Sequence, residues 1–269
     1  MSALLSVENL EIRTADRVLV SGISFSLAAG ERIGLIGESG SGKSLTALAV
    51  LGLLPETMRV SGSILLDGRQ VVGARDRDLV PLRGRSIAAV FQEPMTALDP
   101  LMRIGDQVAE VVRRRSRRDG ATLAGADVKA KVAGLLQRIA LPEPERIARA
   151  FPHEISGGQR QRAAIAMALA CRPKLLIADE PTTALDVTTQ AEILKLLETL
   201  VRDEGMGLLF ISHDLPVVAT IAERALVMRQ GELIEHGPVG TLFDRPVHPY
   251  TQGLVAAARA FDEALEAAL

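Results

Sequence analysis

The sequence has little that would support disulfide chemistry or aromatic stacking. Its 269 residues include one cysteine, one tyrosine and no tryptophan. A single cysteine excludes an intrachain disulfide and a metal cluster built on several cysteines. We interpret Cys171, which follows an apolar helical run, as a small buried hydrophobe rather than a reactive thiol. Because aromatic rings are scarce, an aromatic ligand would have to stack on an unusual side chain.

An excess of one charge and a long hydrophobic run are also lacking. The formal net charge is −2, which argues against the broad basic footprint of a nucleic-acid-binding protein. The apolar stretch that starts at Leu45 is shorter than the roughly 20 residues of a membrane-spanning helix. The first residues alternate like a strand and carry no basic region typical of a secretory leader. We therefore expect a cytosolic chain, or one attached to a membrane only through partners.

One local concentration of charge is present, the arginine cluster RRRSRR at residues 113–118. We interpret it as a solvated helix end or loop, the usual place for such a run. The alternative is contact with anionic lipid headgroups or with a membrane subunit.

Strand and helix patterns alternate along the chain. Strand-like segments are VENLEI, VLVSGISFSL, RIGLIG, SGSILLDG, SIAAVF, KLLIAD and GLLFISH. From about Ile104 to Ala170 the pattern is helical, and one helix face carries Val128, Val132, Leu135, Leu136 and Ile139. The alternation predicts an α/β fold with a mostly parallel sheet and flanking helices. The middle helical section is interpreted as an inserted lobe, and the tail after Pro249 as a surface helix.

A complete phosphate-binding pattern lies between the strand RIGLIG and a helix. It is GESGSGKS, made of Gly37, Glu38, Ser39, Gly40, Ser41, Gly42, Lys43 and Ser44. Glycines let backbone N–H groups turn inward around phosphates at a helix N-terminus. Lys43 is expected to bridge the β- and γ-phosphates of a nucleotide, and Ser44 to bind Mg²⁺.

Polar residues follow three further predicted strands. Asp179 ends LLIAD and is placed to hold Mg²⁺, while Glu180 is the candidate general base or water-orienting group. His213 and Gln92 follow two other strands, where they could meet the γ-phosphate or the metal. Ligands in open α/β sheets gather at such strand ends.

A second glycine-rich segment, ISGGQRQR, has no lysine of the phosphate-binding kind. Its donors are the Ser156 hydroxyl, the backbone of Gly157 and Gly158, and a helix N-terminus that also includes Gln159. The segment follows the helical section, so we place it on the inserted lobe. A donor set remote from the chain's own nucleotide could serve the ATP of a second subunit.

Together these motifs resemble the ATP-binding subunits of ABC transporters. The series GESGSGKS, Gln92, ISGGQ, LLIADE, ALD at Ala184–Asp186 and His213 occurs in that family's order. The resemblance implies a P-loop NTPase (RecA-like) core with an antiparallel β subdomain and an inserted helical subdomain. Residues 1–91 and 171–246 would form the core lobe, 92–170 the helical signature lobe and 247–269 a helical tail.

The same resemblance implies how the site is completed. ATP and Mg²⁺ would be the cofactors, with Ser44, Gln92 and Asp179 near the metal. Two subunits would join head to tail, so that Ser156, Gly157, Gly158 and Gln159 close on the ATP of the partner. Asp186 would lie at the dimer seam.

A finer resemblance is to the peptide/nickel-type importers. It rests on VFQEPMTALDP, FPHEISGGQRQR, ACRPKLLIADEPTTALDVTTQ and HPYTQGL. It implies a peripheral subunit at the cytoplasmic face of the membrane, working with a related second ATPase subunit, two transmembrane permeases and an extracytoplasmic solute-binding protein. The segment from Glu93 to Ile104 would lie against a permease.

The sequence departs from that family at two places. No cysteine-rich segment follows HPYT, which favours shorter members, including nickel or metallophore systems, or a variant peptide system. The aromatic residue that commonly stacks on adenine is missing, and Arg17 in RTADRVL is the substitute candidate.

Other ABC-type functions remain as alternatives. They are an exporter or another importer and, further off, a soluble ATPase of DNA repair or translation. The gap of 64 residues (156 − 92) between Gln92 and Ser156 lacks the sustained heptads of repair members, and translation members carry two nucleotide modules.

Overall fold

The computed structural model describes residues 3–183 and 185–267, with side chains described as far as residue 260. The chain divides into two compact units, residues 1–80 with 207–269 and residues 81–206. Within the described residues no helix is both long and apolar enough to cross a membrane.

Strands and helices are interleaved along the described chain. The strands are β1 (Leu5–Arg13), β2 (Val18–Leu27), β3 (Arg32–Ile36), β4 (Arg59–Leu66), β5 (Arg69–Gln70), β6 (Ile87–Val90), β7 (Leu175–Asp179), β8 (Gly207–Ser212), β9 (Arg224–Arg229) and β10 (Glu232–Pro238). The helices are α1 (Lys43–Leu51), α2 (Asp76–Leu79), α3 (Ile104–Arg118), α4 (Gly125–Arg138), α5 (Pro144–Arg149), α6 (Gly157–Ala170), α7 (Val187–Glu204), α8 (Leu215–Ile221), α9 (Val239–Asp244) and α10 (Pro249–Ala267).

The first compact unit contains an antiparallel sheet with the strand order β2-β1-β4-β5. Buried and more exposed residues alternate along β1, as expected for a strand with one covered face, except at Glu8 and Asn9, where two consecutive residues are exposed beside a register shift. The predicted Asp-Gly turn closes the β4–β5 hairpin, and both Asp67 (φ 50°) and Gly68 (φ 75°) have left-handed backbones. This is the geometry of a two-residue hairpin turn.

The same unit contains a group of parallel strands in which β3 pairs with β8 and β9. Four of the five residues of β3 and all six of β8 are buried, which is typical of strands covered on both faces. Helix α8 packs on β3 so closely that a Cβ on Gly34 would lie 2.1 Å from Val218 Cγ1. This packing holds the middle of β3, and the phosphate-binding segment leaves from the carboxyl end of the strand.

The second compact unit contains the parallel pair β6 and β7 and the helices α3 to α7. All residues of β7 are buried. The buried residues of helix α6 include Ala163, Ala164, Ile165 and Ala166, and the helix packs against α3, α4 and β6. In α4 the predicted apolar face is buried at Val128, Val132 and Leu136, whereas Leu135 is only half-buried.

The α/β class, the antiparallel subdomain and the inserted helical section predicted from the sequence are confirmed. The compact units do not coincide with the predicted lobes, because the strands β6 and β7 group with the helices of residues 81–206. The lobes at 1–91 with 171–246, 92–170 and 247–269 follow the positions of motifs rather than compactness, and they stay a prediction.

Candidate functional site

The segment Gly37–Ser44 forms a loop between β3 and α1. Lys43 is 5% exposed, and its Nζ donates to the carbonyl oxygens of Gly37 (2.7 Å) and Glu38 (2.9 Å). Gly42 is the N-cap of α1 with φ 102°, and no side chain caps this helix start. A helix N-terminus whose N–H groups have no side-chain cap favours an anion. The loop therefore combines a buried ammonium group with a helix start.

Two glycines of this loop are required by close approach to neighbouring strands. A Cβ on Gly37 would lie 2.2 Å from the Met228 carbonyl oxygen of β9. A Cβ on Gly42 would lie 2.9 Å from Val20 Cγ2 of β2. The Gly231 N–H also donates to the Ser41 carbonyl at 3.1 Å. The β9–β10 turn and β2 thus line the back of the loop.

His213 and the phosphate loop lie at the same end of the parallel strands β3 and β8, the carboxyl end. Ile36, the last residue of β3, pairs with Ser212, the last residue of β8. Gly37 and His213 each follow these paired residues directly, and the His213 side chain is exposed. The structure therefore brings His213 to the edge from which the phosphate loop leaves.

Arg17 lies on the exposed turn between β1 and β2. Its N–H donates to Thr14 Oγ1 at 3.3 Å, and its carbonyl accepts from the Thr14 N–H at 2.9 Å. The following strand supplies Val20 to the back of the loop. The role of Arg17 beside adenine stays a prediction.

In the second compact unit, Asp179 and Glu180 stand at the carboxyl end of β7. Ala178 of β7 pairs with Val90 of β6, and Gln92 follows two residues after Val90, so the three side chains start from one edge of this pair. Asp179 is buried, whereas Gln92 is exposed. The structure brings these three predicted residues to the carboxyl end of the parallel pair β6 and β7.

The backbone and a neighbour fix the orientation of Glu180. Its φ of 47° is left-handed, a conformation that costs energy for a residue with a Cβ and that clusters at functional sites. The Thr183 hydroxyl donates to Glu180 Oε2 at 2.9 Å. Sequence reasoning did not identify Thr183, although it lies in the segment quoted for the family resemblance.

The second glycine-rich segment begins α6 with a reciprocal cap. Ser156 Oγ accepts from the Gln159 N–H (3.3 Å), and Gln159 Oε1 accepts from the Ser156 N–H (3.1 Å). The spacing S-x-x-Q is the sequence pattern of a capping box. Ser156 and Gly157 are exposed, so this helix start is open to solvent.

Arg162, one turn into the same helix, fixes α6 in the second unit. Its side chain is 10% exposed, and it donates to the Ile139 carbonyl (2.9 Å) and to Glu192 Oε2 of α7 (2.7 Å). A buried guanidinium needs such partners, because an unpaired buried charge is costly. The position of α6 relative to α4 and α7 thus depends on Arg162, for which the local sequence indicates no role.

Asp186 lies beside the start of α6. It caps α7 by accepting from the Thr189 N–H (3.0 Å) and hydroxyl (2.7 Å). The hydrogen bond from the Thr189 backbone lowers the pKa of Asp186, with a further contribution from the Thr189 hydroxyl, so the carboxylate is ionised at neutral pH. A Cβ on Gly158 would lie 2.6 Å from Thr189 Cγ2. Thr189 therefore lies between Asp186, to which it donates, and Gly158, against which its methyl group packs. Ala184, predicted from the same ALD motif, lies outside the described residues.

The arginine cluster is only in part the solvated helix end that we expected. Arg113, Arg114, Arg117 and Arg118 are exposed at the end of α3, and Arg115 is half-buried. Arg115 donates to the Cys171 carbonyl (2.6 Å), and Arg118 donates to the Arg83 carbonyl (2.9 Å). Two arginines of the cluster thus join backbone segments within the second unit.

Cys171 is half-buried rather than buried as predicted. Burial raises the pKa of its thiol and outweighs the opposite effect of the nearby Arg115 and Arg118 charges. The thiol is therefore protonated at neutral pH, in agreement with an unreactive side chain.

Comparison with known proteins gives consistent matches. The family model described as ABC transporter matches residues 20–183, which is more than half of the chain. The chain is 45% identical over 264 residues to the oligopeptide transport ATP-binding protein OppD of Escherichia coli (strain K12), covering 97% of this chain and 77% of OppD.

Two other relatives are longer proteins. The peptidoglycan transport ATP-binding protein YejF of Agrobacterium fabrum is 48% identical over 260 residues, and the chain covers 47% of its length. The glutathione import ATP-binding protein GsiA of Shigella dysenteriae is 45% identical over 269 residues, and the chain covers 42% of its length. This chain thus spans less than half of these two relatives.

Solved structures with the same fold include two ATP-binding cassettes. One is the dimeric cassette MJ0796 bound to ADP and Pi, with a TM-score of 0.76 and 27% identity over 87% of this chain and 98% of that one. The other is cbiO1 from Clostridium perfringens, part of the ABC transporter complex cbiONQ, with a TM-score of 0.75 and 28% identity over 91% of this chain and 92% of that one.

Proposed function

The chain belongs to the ABC transporter family and is an ATPase of that family, and from this premise we propose that it is the energy-coupling subunit of a peptide importer. One observation carries the proposal. The 45% identity to the oligopeptide transport protein OppD extends over 97% of the chain, well beyond the residues that the family model matches.

The phosphates of ATP bind at Gly37–Ser44 in this proposal. Lys43 supports this role because its ammonium group is held inside the loop by two carbonyl oxygens. The open start of α1 supplies N–H groups and the positive end of the helix dipole. Arg17 is the candidate for stacking on the adenine, since the chain has few aromatic side chains.

Mg²⁺ is the proposed metal, held by Ser44, Gln92 and Asp179. Their donors are hydroxyl, amide and carboxylate oxygens, which are the ligand types that this cation prefers. When bound, Mg²⁺ would neutralise charge that develops on the phosphate oxygens.

Glu180 orients the attacking water in this proposal. Support comes from its left-handed backbone and from the Thr183 hydrogen bond, which together fix the carboxylate at the end of β7. His213 and Gln92 are proposed to contact the γ-phosphate region. General-base or water-orienting groups contribute about 10²- to 10⁴-fold to such reactions.

The signature segment acts on ATP held by a partner subunit. Ser156, Gly157, Gly158 and Gln159 begin a helix that is open to solvent, and this supports a ligand supplied from outside the chain. Asp186 lies beside them through Thr189, so the proposed dimer seam and the signature form one surface. A site completed only by dimerisation couples hydrolysis to a conformational change.

The segment from Glu93 to Ile104 is the proposed contact with a permease. The buried amide of Gln107 donates to the carbonyls of Asp99 and Met102 (both 2.9 Å) and accepts from the Asp99 N–H (2.9 Å). The turn held in this way leaves Leu101 85% exposed. The adjacent Met102 is 37% exposed, and two neighbouring apolar side chains in solvent support a protein contact at this position.

The assembly that we propose contains two permeases, a related second ATPase subunit and an extracytoplasmic solute-binding protein, with this chain peripheral at the cytoplasmic face. Peptides are the favoured cargo, because the relatives are named for oligopeptide, glutathione and peptidoglycan transport. Nickel or metal chelates are the other cargo predicted from the sequence.

Substitution Glu180→Gln tests the ATPase mechanism. We expect ATP binding to persist, hydrolysis to fall by at least about 100-fold, and an ATP-bound dimer to accumulate in size-exclusion chromatography. Glu145→Gln, on the exposed side of α5, is the control and should hydrolyse ATP like the unmodified chain. Normal turnover by the Glu180 variant would contradict its proposed role.

Reconstitution with the permeases and binding protein tests the cargo. Stimulation of ATP hydrolysis by di- or oligopeptides but not by nickel chelates is the expected result. Stimulation by nickel chelates alone would overturn the peptide assignment while leaving the ATPase assignment intact.

A further inference from the structure

The segment HPYT at residues 248–251 lies against the phosphate loop in the first compact unit. The backbone N–H of Glu38 donates to the Tyr250 hydroxyl at 3.0 Å. The carbonyl of the same peptide bond, that of Gly37, accepts from Lys43 Nζ at 2.7 Å. Because the C=O and N–H of a trans peptide point in opposite directions, the Gly37–Glu38 peptide is held from both sides.

Strand β9 fixes the ring of Tyr250. The Arg229 guanidinium lies over the ring at 5.0 Å from its centroid, a cation–π arrangement. Met228, the residue before Arg229, is the one whose carbonyl leaves no room for a side chain on Gly37. Burial raises the pKa of the Tyr250 hydroxyl above its ordinary value of 10.0, so this acceptor is neutral at physiological pH.

Glu235 of β10 holds the segment that carries Tyr250. Its two carboxylate oxygens accept from the N–H groups of Val247 (2.8 Å) and His248 (3.0 Å). The Tyr250 N–H in turn donates to His248 Nδ1 at 3.1 Å. The position of the phenol thus depends on a carboxylate that does not itself touch the loop.

We propose that Tyr250 is a positioning residue for the phosphate loop, with Glu235 acting through it. The hydroxyl fixes the Gly37–Glu38 peptide, so that Lys43 and the loop N–H groups are arranged for phosphate in advance. This inference rests on the proposed binding of ATP at the loop. It predicts that the affinity for nucleotide depends on the docked C-terminal segment.

Substitution Tyr250→Phe removes the hydroxyl and keeps the ring over which Arg229 lies. The Glu38 N–H then loses its acceptor, and the Gly37–Glu38 peptide is held from one side only, by Lys43. Since the bond is made before and during reaction alike, we expect the KM for ATP to rise about two- to twelvefold, the range for one neutral hydrogen bond, with kcat unchanged. Steady-state hydrolysis and equilibrium binding of ATP measure this split.

Thr220→Val is the matched control. Thr220 lies on α8 of the same compact unit, and its hydroxyl donates to the Val217 carbonyl (2.8 Å), so valine removes one hydroxyl hydrogen bond that involves neither the phosphate loop nor Glu235. We expect its thermal unfolding to shift but its KM for ATP to stay the same. An unchanged KM in Tyr250→Phe, or equal KM shifts in both variants, would overturn the positioning role.

Glu235→Gln tests the second step of the proposal. Alone it should raise KM in the same direction, whereas in the Tyr250→Phe background it should have no further effect. Additive effects would show that Glu235 does not act through Tyr250. If the unmodified chain neither binds nor hydrolyses ATP, the proposed function fails; if it does both and the variants match it, only this inference fails.

Discussion

The two glycine-rich segments of this chain start helices in different ways. The phosphate loop ends at Gly42, which offers no side-chain cap to α1, and a buried lysine and a tyrosine hold its backbone. The signature segment starts at Ser156, which exchanges hydrogen bonds with Gln159 and stays exposed. The N–H groups at the start of α1 have no side-chain cap, whereas at the start of α6 the N–H groups of Ser156 and Gln159 are satisfied by each other's side chains.

This difference explains why only one of the two segments needs a lysine. In the proposed function, a loop that binds the phosphates of the chain's own ATP requires a fixed positive charge, which Lys43 would supply from within the loop. A helix start that meets phosphate held elsewhere needs only to be stable while it is empty, and the capping box provides that stability. Exposed and already capped, the signature is suited to transient contact.

The largest effect is expected from Lys43→Ala, which removes the feature that the signature lacks. Both carbonyl partners and the bound phosphates lose their cation, so hydrolysis should fall by at least about 100-fold. ATP binding and phosphate release measure this loss. Lys195→Ala, on the exposed face of α7, should change neither, and retained turnover in the Lys43 variant would contradict the assignment.

Ser156→Arg should separate the two segments functionally. A bulky cation at the exposed start of α6 leaves the phosphate loop untouched, so ATP binding to the isolated chain should stay within about twofold. Hydrolysis by the assembled complex should fall on the order of 100-fold. Ser156→Ala removes only the cap, at about 1 kcal/mol of stability. Loss of ATP binding by the isolated Arg variant would contradict action in trans.

Gly158→Ala tests the close packing of the signature on α7. The new Cβ would lie 2.6 Å from Thr189 Cγ2, so we expect a loss of about 1–3 kcal/mol in the free energy of unfolding. Thr189→Ser removes that methyl group and should restore most of it. Gly157→Ala is the control, since its Cβ would meet Leu185 at an ordinary 3.6 Å. Equal costs at both glycines in denaturant unfolding would contradict this packing.

The smallest effect concerns acid. Burial acts to raise the pKa of Glu235, but hydrogen bonds from the Thr251 hydroxyl and from the N–H groups of Val247 and His248 outweigh it and lower the pKa below its ordinary 4.5. The contribution of the Glu235 carboxylate to the free energy of unfolding is therefore complete above pH 4.5, and it is lost as the pH falls through the lowered pKa of the folded chain. The difference in unfolding free energy between the unmodified chain and Glu235→Gln, below about 1 kcal/mol, should vanish in strong acid. A difference that grows on acidification would refute this sign.

The cap of the signature contains no titrating group, so the same acid should not weaken it. Serine and glutamine form both of its hydrogen bonds. Hydrogen exchange at the start of α6 should therefore show no dependence on the ionisation of Glu235 once intrinsic exchange rates are corrected.

Local patterns in the sequence predicted much of the fold. The phosphate loop, the strand that precedes it and the Asp67–Gly68 hairpin follow from residues that are adjacent in the chain. The capping box at Ser156 follows equally from its S-x-x-Q spacing, but we predicted only an anion site there, because of the two glycines. The predicted roles of the site residues remain predictions.

Long-range contacts could not be predicted. Tyr250 and Glu38 are 212 positions apart, and nothing in either local sequence indicates that they meet. The left-handed backbone of Glu180 was also hidden, because a residue with a side chain gives no sign of such a conformation. Arg115 and Arg118 belong to a run that is typical of solvent, and only the tertiary fold provides their carbonyl partners.

The location of Tyr250 has a further consequence, since the chain contains no second tyrosine and no tryptophan. Near-ultraviolet fluorescence of this chain therefore originates almost entirely from the phenol of Tyr250, which is hydrogen-bonded to the phosphate loop. The molecule carries its own optical probe at that position, and a fluorinated or nitrated tyrosine would label the same single place without any engineered cysteine.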